Sequence, residues 1–132
     1  MFEKLDVFRM AHAMAVHAGH SQAVAAQNVA NSDTPGFKAR RVIPFSETYQ
    51  DGPVPGGHAG QLSTRTRHLN GAAAGSMPEP VLDKSGPAAP NGNTVSLENE
   101  MLKSLDAKRQ HDRALAIYKS SMTILRATLS RS

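Results

Sequence analysis

Histidine is the residue of this sequence best equipped for chemistry, and there are six of them. An imidazole can ligate a metal or carry a proton near neutral pH. His17 and His20 stand three apart, a spacing that puts two side chains on one face of a helix. His12 falls on a different stripe. A zinc site needs a third ligand, and no acidic residue or Cys lies close to the pair. The histidines therefore read as solvated or interface residues of an Ala-rich segment. Nucleophiles are equally scarce. There is no Cys, hence neither a thiolate nor a disulfide. No Ser sits in a Gly-x-Ser-x-Gly elbow, and no Gly-x-Gly-x-x-Gly or phosphate-loop pattern occurs. Glu98 and Glu100 read as first-turn acids of a helix, and Asp51-Gly52 and Asp83-Lys84 as turns. Met10, Met14, Met101 and Met122 fall on helical stripes and read as adaptable packing residues. The expectation is a protein that is not an enzyme, with no catalytic, cofactor-binding or metal residues.

The elements that carry these residues explain the composition better. From Phe2 to Ala30 there is no Pro and a single Gly, with Ala and Met abundant, which predicts a long helix. Leu5, Phe8, His12, Ala15, Gly19, Gln22, Ala26 and Val29 step by three and four, as in a coiled-coil seam. Val7, Met10, Met14, Ala18 and Ala25 form a second apolar stripe, so this helix has more than one neighbour. Its stop is well marked. Asn31 tolerates the left-handed conformation past a helix end, and Pro35-Gly36 suits the two central positions of a type II turn.

A second helix is predicted at the other end. Ser96 is a good N-cap with Val95 before it, and Glu98 and Glu100 suit the positive end of the helix dipole. Met101, Ser104, Lys108, His111, Leu115, Tyr118, Met122, Leu125 and Leu129 again alternate four and three. The seam expected to pack thus comprises Leu5, Phe8, Ala15, Gln22, Ala26 and Val29 on one helix. On the other it comprises Met101, Leu115, Tyr118, Met122, Leu125 and Leu129.

Between the helices lie most of the Pro and Gly residues, with breaker clusters at 52–57 and 86–92. Short extended pieces fit 40–45, 62–69 and 80–82. The fold class expected is all-α. Two long terminal helices pair as an antiparallel coiled-coil-like hairpin, joined by a long irregular Pro/Gly-rich insert with room for short strands. The divisions are 1–33, 34–94 and 95–132, forming one domain that depends on assembly. Aromatic residues are only 5% of the chain and Trp is absent, so a lone monomer has little with which to offset its ordering entropy.

The formal charge of +4 admits nucleic acid or an anionic membrane as partner. The charges are scattered, however. Arg40-Arg41 and Arg65 with Arg67 are the dense spots outside the last helix, and no aromatic residues interleave them for base stacking. No stretch is long and apolar enough to span a bilayer. Glu3 and Asp6 occupy the place of a basic leader, so no cleaved secretory signal is expected. The competing reading from the residues alone is a soluble, basic helical-hairpin module that contacts nucleic acid or another protein.

One string exceeds what a turn requires. Ala30-Asn31-Ser32-Asp33-Thr34-Pro35-Gly36-Phe37-Lys38-Ala39 resembles the Ala-Asn-x-x-Thr-Pro-Gly-aromatic-Lys-Ala signature of the bacterial flagellar rod and hook family, and Gln27-Asn28-Val29 resembles its approach. Asn91-Gly92-Asn93-Thr94-Val95-Ser96-Leu97-Glu98-Asn99-Glu100-Met101 resembles the start of that family's C-terminal helix, with Ser96 where Asp is commoner. Thr66-Arg67-His68-Leu69 is similar to an element of the family's short proximal-rod branch. On these positions the resemblance marks Ala30, Asn31, Thr34, Pro35, Gly36, Phe37, Lys38 and Ala39 as signature residues. It implies a structural subunit of the periplasmic rod, exported by the flagellar type III apparatus without a cleaved signal peptide. The partners it implies are other rod subunits and copies of this chain, the MS-ring protein, the ring–rod adaptor and the export apparatus. It implies neither nucleic acid nor a cofactor.

Overall fold

A computed structural model describes residues 2–50 and 78–130. In chain order the elements are α1 (Phe2–Ala30), β1 (Arg40–Arg41), α2 (Phe45–Gln50), β2 (Val81–Leu82) and α3 (Leu97–Leu129). The two long helices, roughly 44 and 50 Å by their residue numbers, pack against each other and dominate the fold. They run antiparallel. Asn28 bonds Glu100 at one end of the pair, and the Phe8 ring meets Tyr118 edge-on at 5.1 Å towards the other.

Local chemistry sets the helix boundaries. The extended Ser96 caps α3 by accepting from the Asn99 amide at 3.4 Å. At the end of α1, the Asn31 amide is shared between the carbonyls of Gln27 and Asn28, which keeps the last turn satisfied. Between the helices, β1 and β2 pair antiparallel, with Arg40 opposite Leu82 and Arg41 opposite Val81. Both strands fall within stretches expected to be extended. The first stretch is shorter than expected: at Pro44 the chain turns into α2, where the Pro44 carbonyl takes the amides of Glu47 and Thr48. A Pro at the first turn of a helix has no amide to lose. The expected piece at 62–69 lies outside the described residues. Among the described residues, no helix is long and apolar enough to cross a membrane.

The contact between the long helices does not run along the expected stripe. Ala11, Ala18, Ala25 and Asn28 are buried on α1, and Glu100, Ala107 and Ala114 on α3. These positions precede the expected seam by one residue on each helix, a rotation of about 100°. The second α1 stripe supplies Ala18 and Ala25 to the contact. The physical reason is size: Ala every seventh residue lets two backbones approach closely, and the bulkier residues beside it then point outward. Met101 is 70% exposed and Leu115 51%. Gln22, Ala26, Val29 and Leu129 are also exposed, while Ala15, Met122 and Leu125 are half-buried. Phe8 and Tyr118 are the members of the expected seam that meet face to edge. The Leu5 side chain lies outside the described residues.

The helix pair has two unlike sides. On one, residues from the described parts of the connecting segment meet α1: His17 Nε2 bonds the Ile43 carbonyl at 2.7 Å, and His20 Nε2 bonds that of Pro78 at 3.1 Å. Phe45 sets its ring edge against His17 at 5.5 Å. On the other side the two helices leave an open groove of about 540 Å³. Its walls include Gln22, Ala26 and Val29 of α1 and Met101, Ser104 and Leu105 of α3.

Candidate structural site: the clasp at the helix junctions

The turn that ends α1 is built as its residues require. The Phe37 amide donates to the Thr34 carbonyl at 3.3 Å, closing a four-residue turn over Pro35 and Gly36. Gly36 has φ +72°, the left-handed value that the third position of a type II turn demands. Thr34 Oγ1 donates to the Asn31 side chain at 3.3 Å, and Asn31 Nδ2 donates back to the Gln27 carbonyl at 2.8 Å.

This turn is held from across the molecule by the segment before α3. Asn93 is 3% exposed. Its Nδ2 donates to the carbonyls of Asn31, Ser32 and Thr34 at 2.9, 2.8 and 2.8 Å. Three oxygens converge on two N–H bonds, so one hydrogen is shared. Its Oδ1 accepts the Val95 amide at 2.8 Å, which fixes the orientation of the carboxamide. Asn93 thus caps α1 from the chain that starts α3. The backbones close the contact: Gly36 N donates to Asn91 O at 3.0 Å and Thr94 N to Phe37 O at 3.1 Å. Ala39 N donates to Thr94 Oγ1 at 2.8 Å, and Lys38 Nζ to Gly92 O at 3.0 Å. Gly92 has φ +80°, and a Cβ there would lie 3.5 Å from the Gly36 Cα. The two glycines let the two turns lie against each other.

A second knot sits one turn inward. Asn28, 1% exposed, reads β1 as a neighbouring strand would. Its Nδ2 donates to Arg40 O at 2.7 Å, and its Oδ1 accepts Arg40 N at 3.0 Å. The same Nδ2 reaches Glu100 Oε2 at 3.0 Å. Glu100 is 1% exposed, and its other oxygen takes Lys103 Nζ at 2.6 Å. Lys103 continues to Asp83 Oδ2 at 2.7 Å, and the Asp83 amide bonds Ala39 O at 2.8 Å. A buried carboxylate is tolerable only with such partners. Partial burial alone would raise the Asp83 carboxyl. The Lys103 ammonium and the Ser85 hydroxyl and amide outweigh it and hold Asp83 at about 2. Burial likewise opposes the charge on Lys103, yet hydrogen bonds to Asp83 and Glu100 raise its pKa overall.

Of the signature residues, Asn31, Thr34, Gly36, Phe37, Lys38 and Ala39 all bond within the clasp or its turn. Ala30 ends α1, and Pro35 occupies the turn. Asn93, Asn28, Glu100, Lys103 and Asp83 are structural residues to which the sequence reading assigned no such part. Glu100 was expected as a first-turn acid and Asp83 as a turn residue; Asp83 does receive the Ser85 amide at 3.0 Å. One signal for two of them was available. Asn28 lies three residues after Ala25 and Glu100 seven before Ala107, both on the alanine seams of their helices, and polar residues on a seam commonly fix its register.

The described residues form a class of fold: an Ala-seamed antiparallel helical hairpin, tied at one end, with large apolar side chains exposed on α3. The sequence profile described as "Flagella basal body rod protein" matches residues 20–38, the last third of α1 and its turn. Over 133 aligned positions the chain is 29% identical to "Flagellar basal body rod protein FlgB" of Agrobacterium fabrum (strain C58 / ATCC 33970). The alignment covers 98% of this chain and 96% of that protein. The chain is thus similar to flagellar basal-body rod proteins, through a local profile match and a near-full-length alignment.

Proposed function

We propose that this protein is a structural component of the flagellar basal-body rod, of the proximal kind, carrying torque from the MS ring towards the hook. The observation that supports this best is that the family's two junction strings, 30–39 and 91–101, are the two halves of the clasp. A rod subunit must transmit torsion through its own fold, and tying both helices at one end makes the pair turn as a unit. The near-full-length similarity to a FlgB supports the same reading.

The stripe of large apolar residues then has a use. Met101, Leu105, Leu115 and Tyr118 on α3, with Ala26 and Val29 on α1, are where neighbouring subunits pack. Each contact is weak, and an assembly sums them. The chain travels through the flagellar type III apparatus unfolded. Its clasp end forms first, and the outer halves of the helices set firmly on docking. Its neighbours are copies of itself, the other proximal rod subunits, the MS-ring protein and the ring–rod adaptor. Among these, 1–132 is one assembly-dependent domain. No catalytic role is proposed.

The test is deletion of the gene in the parent bacterium. Cells should lose flagella and export no filament, with both restored by the wild-type copy. Normal motility in the deletion overturns the reading.

A further inference from the structure

Asn91-Gly92 is an Asn-Gly pair, the dipeptide in which the following amide reaches the Asn side chain with least hindrance. In water, Gly92 N loses its proton to a solvent base and attacks Asn91 Cγ. The Cγ–N bond of the side-chain amide breaks and ammonia leaves, giving a five-membered succinimide. Water then opens the ring at either carbonyl. Opening at Cγ leaves aspartate. Opening at the main-chain carbonyl leaves isoaspartate, whose backbone runs through the former side chain.

The clasp engages the attacking amide, the side-chain oxygen and the main-chain carbonyl of this pair. Gly92 N–H is engaged with Ala89 O at 2.8 Å. Asn91 Oδ1 accepts the Asn93 amide at 3.1 Å, which fixes the side chain towards residue 93. Asn91 O accepts Gly36 N at 3.0 Å, and Gly92 lies against Gly36. The ring can close only after these bonds open. Exposure of Asn91 does not provide a route, because the attacking atom is internal and tied.

We propose that Asn91-Gly92 is a spontaneous modification site that is silent while the clasp is closed, and that its conversion to isoaspartate in the open chain prevents the clasp from closing again. Isoaspartate adds a methylene to the backbone between the Asn91 acceptor and Asn93. That displaces the Asn93 carboxamide from the three carbonyls that end α1. It also places a carboxylate beside the negative end of the α1 dipole, where no basic residue occupies the last turn. Time spent unfolded is thereby recorded in the chain as loss of folding competence. The inference rests on the clasp geometry alone and stands apart from the rod reading.

Incubate the purified full-length chain at mildly alkaline pH in native buffer and in denaturant. Follow the peptide bearing residue 91 by mass spectrometry, with fragmentation that separates aspartate from isoaspartate. Follow hydrogen exchange of the Gly92 amide in parallel. Conversion should be slower by on the order of tenfold or more in native buffer, with Gly92 protected to match. The Asn93→Ala variant should convert faster than wild type in native buffer. The purified isoaspartate form should refold to a lower melting temperature than wild type, and lower than Asn91→Asp, which carries the charge without the methylene. Equal conversion rates in native buffer and denaturant overturn the inference. An unprotected Gly92 overturns it too, as does an isoaspartate form that melts like Asn91→Asp.

Discussion

A single carboxamide does most to join the two ends of this molecule. Asn93→Ala leaves the carbonyls of Asn31, Ser32 and Thr34 without their shared donor, which should cost roughly 1–3 kcal/mol in urea titration of the helical signal. Asn93→Asp should cost more, because a carboxylate cannot donate and sits at the negative helix end. Acidity reaches the second knot through Asp83. Its folded pKa of about 2 lies below the ordinary value of 3.8. Its stabilising contribution is therefore present above about 3.8 and is lost as pH falls through about 2. After allowance for solvent screening, the loss should be on the order of 1 kcal/mol. Asp83→Asn should flatten stability across that window, as read by thermal melts taken from pH 5 downward. Lys103 has the opposite sense: its raised pKa means a contribution kept below the ordinary lysine value and lost at strongly alkaline pH.

Between elements, the decisive feature is which stripe each helix turns inward. Ala107→Leu should force the helices apart and cost roughly 1–3 kcal/mol, visible as a lower melting temperature of the isolated chain. Leu115→Asp changes a residue 51% exposed and should shift stability by no more than about 0.5 kcal/mol. On the proposed rod function, with neighbours packed on the outward stripe, cells carrying Leu115→Asp should nevertheless lose motility on soft agar. Wild-type motility in that variant, with normal expression, would remove the stripe from the assembly surface. The turn has its own test: Gly36→Val forces a β-branched residue to φ +72°. It should lower the melting temperature and fail to complement the deletion.

Across the whole molecule, order is unevenly supported. Among the described residues, the clasp end has both polar knots, whereas towards Phe8 and Tyr118 the pair has an alanine seam and one aromatic contact. Hydrogen exchange on the isolated chain should show slow amides around Asn28, Ala39 and Glu100, and faster ones along the outer halves of both helices. Uniform protection along α1 and α3 would argue against neighbours completing the fold.

Much of this architecture was legible in the residues. Continuous helix-formers without Pro marked both long helices, Ser96 marked a cap, and Pro35-Gly36 marked a turn that needs positive φ at Gly36. Such features depend on a few adjacent residues, and local propensity reports them. The sequence string at 30–39 also carried the resemblance to the rod and hook family. What it left open was the phase of the helix pair. A three–four repeat shifted by one residue is still a three–four repeat, and large apolar side chains made the outer stripe look like the inner one. Tertiary contact chose the alanines, because close backbone approach and the paired polar groups of Asn28 and Glu100 exist only when both helices are present. Asn93 is the same case: its three acceptors lie about sixty residues away in sequence, and only the folded chain brings them to one amide.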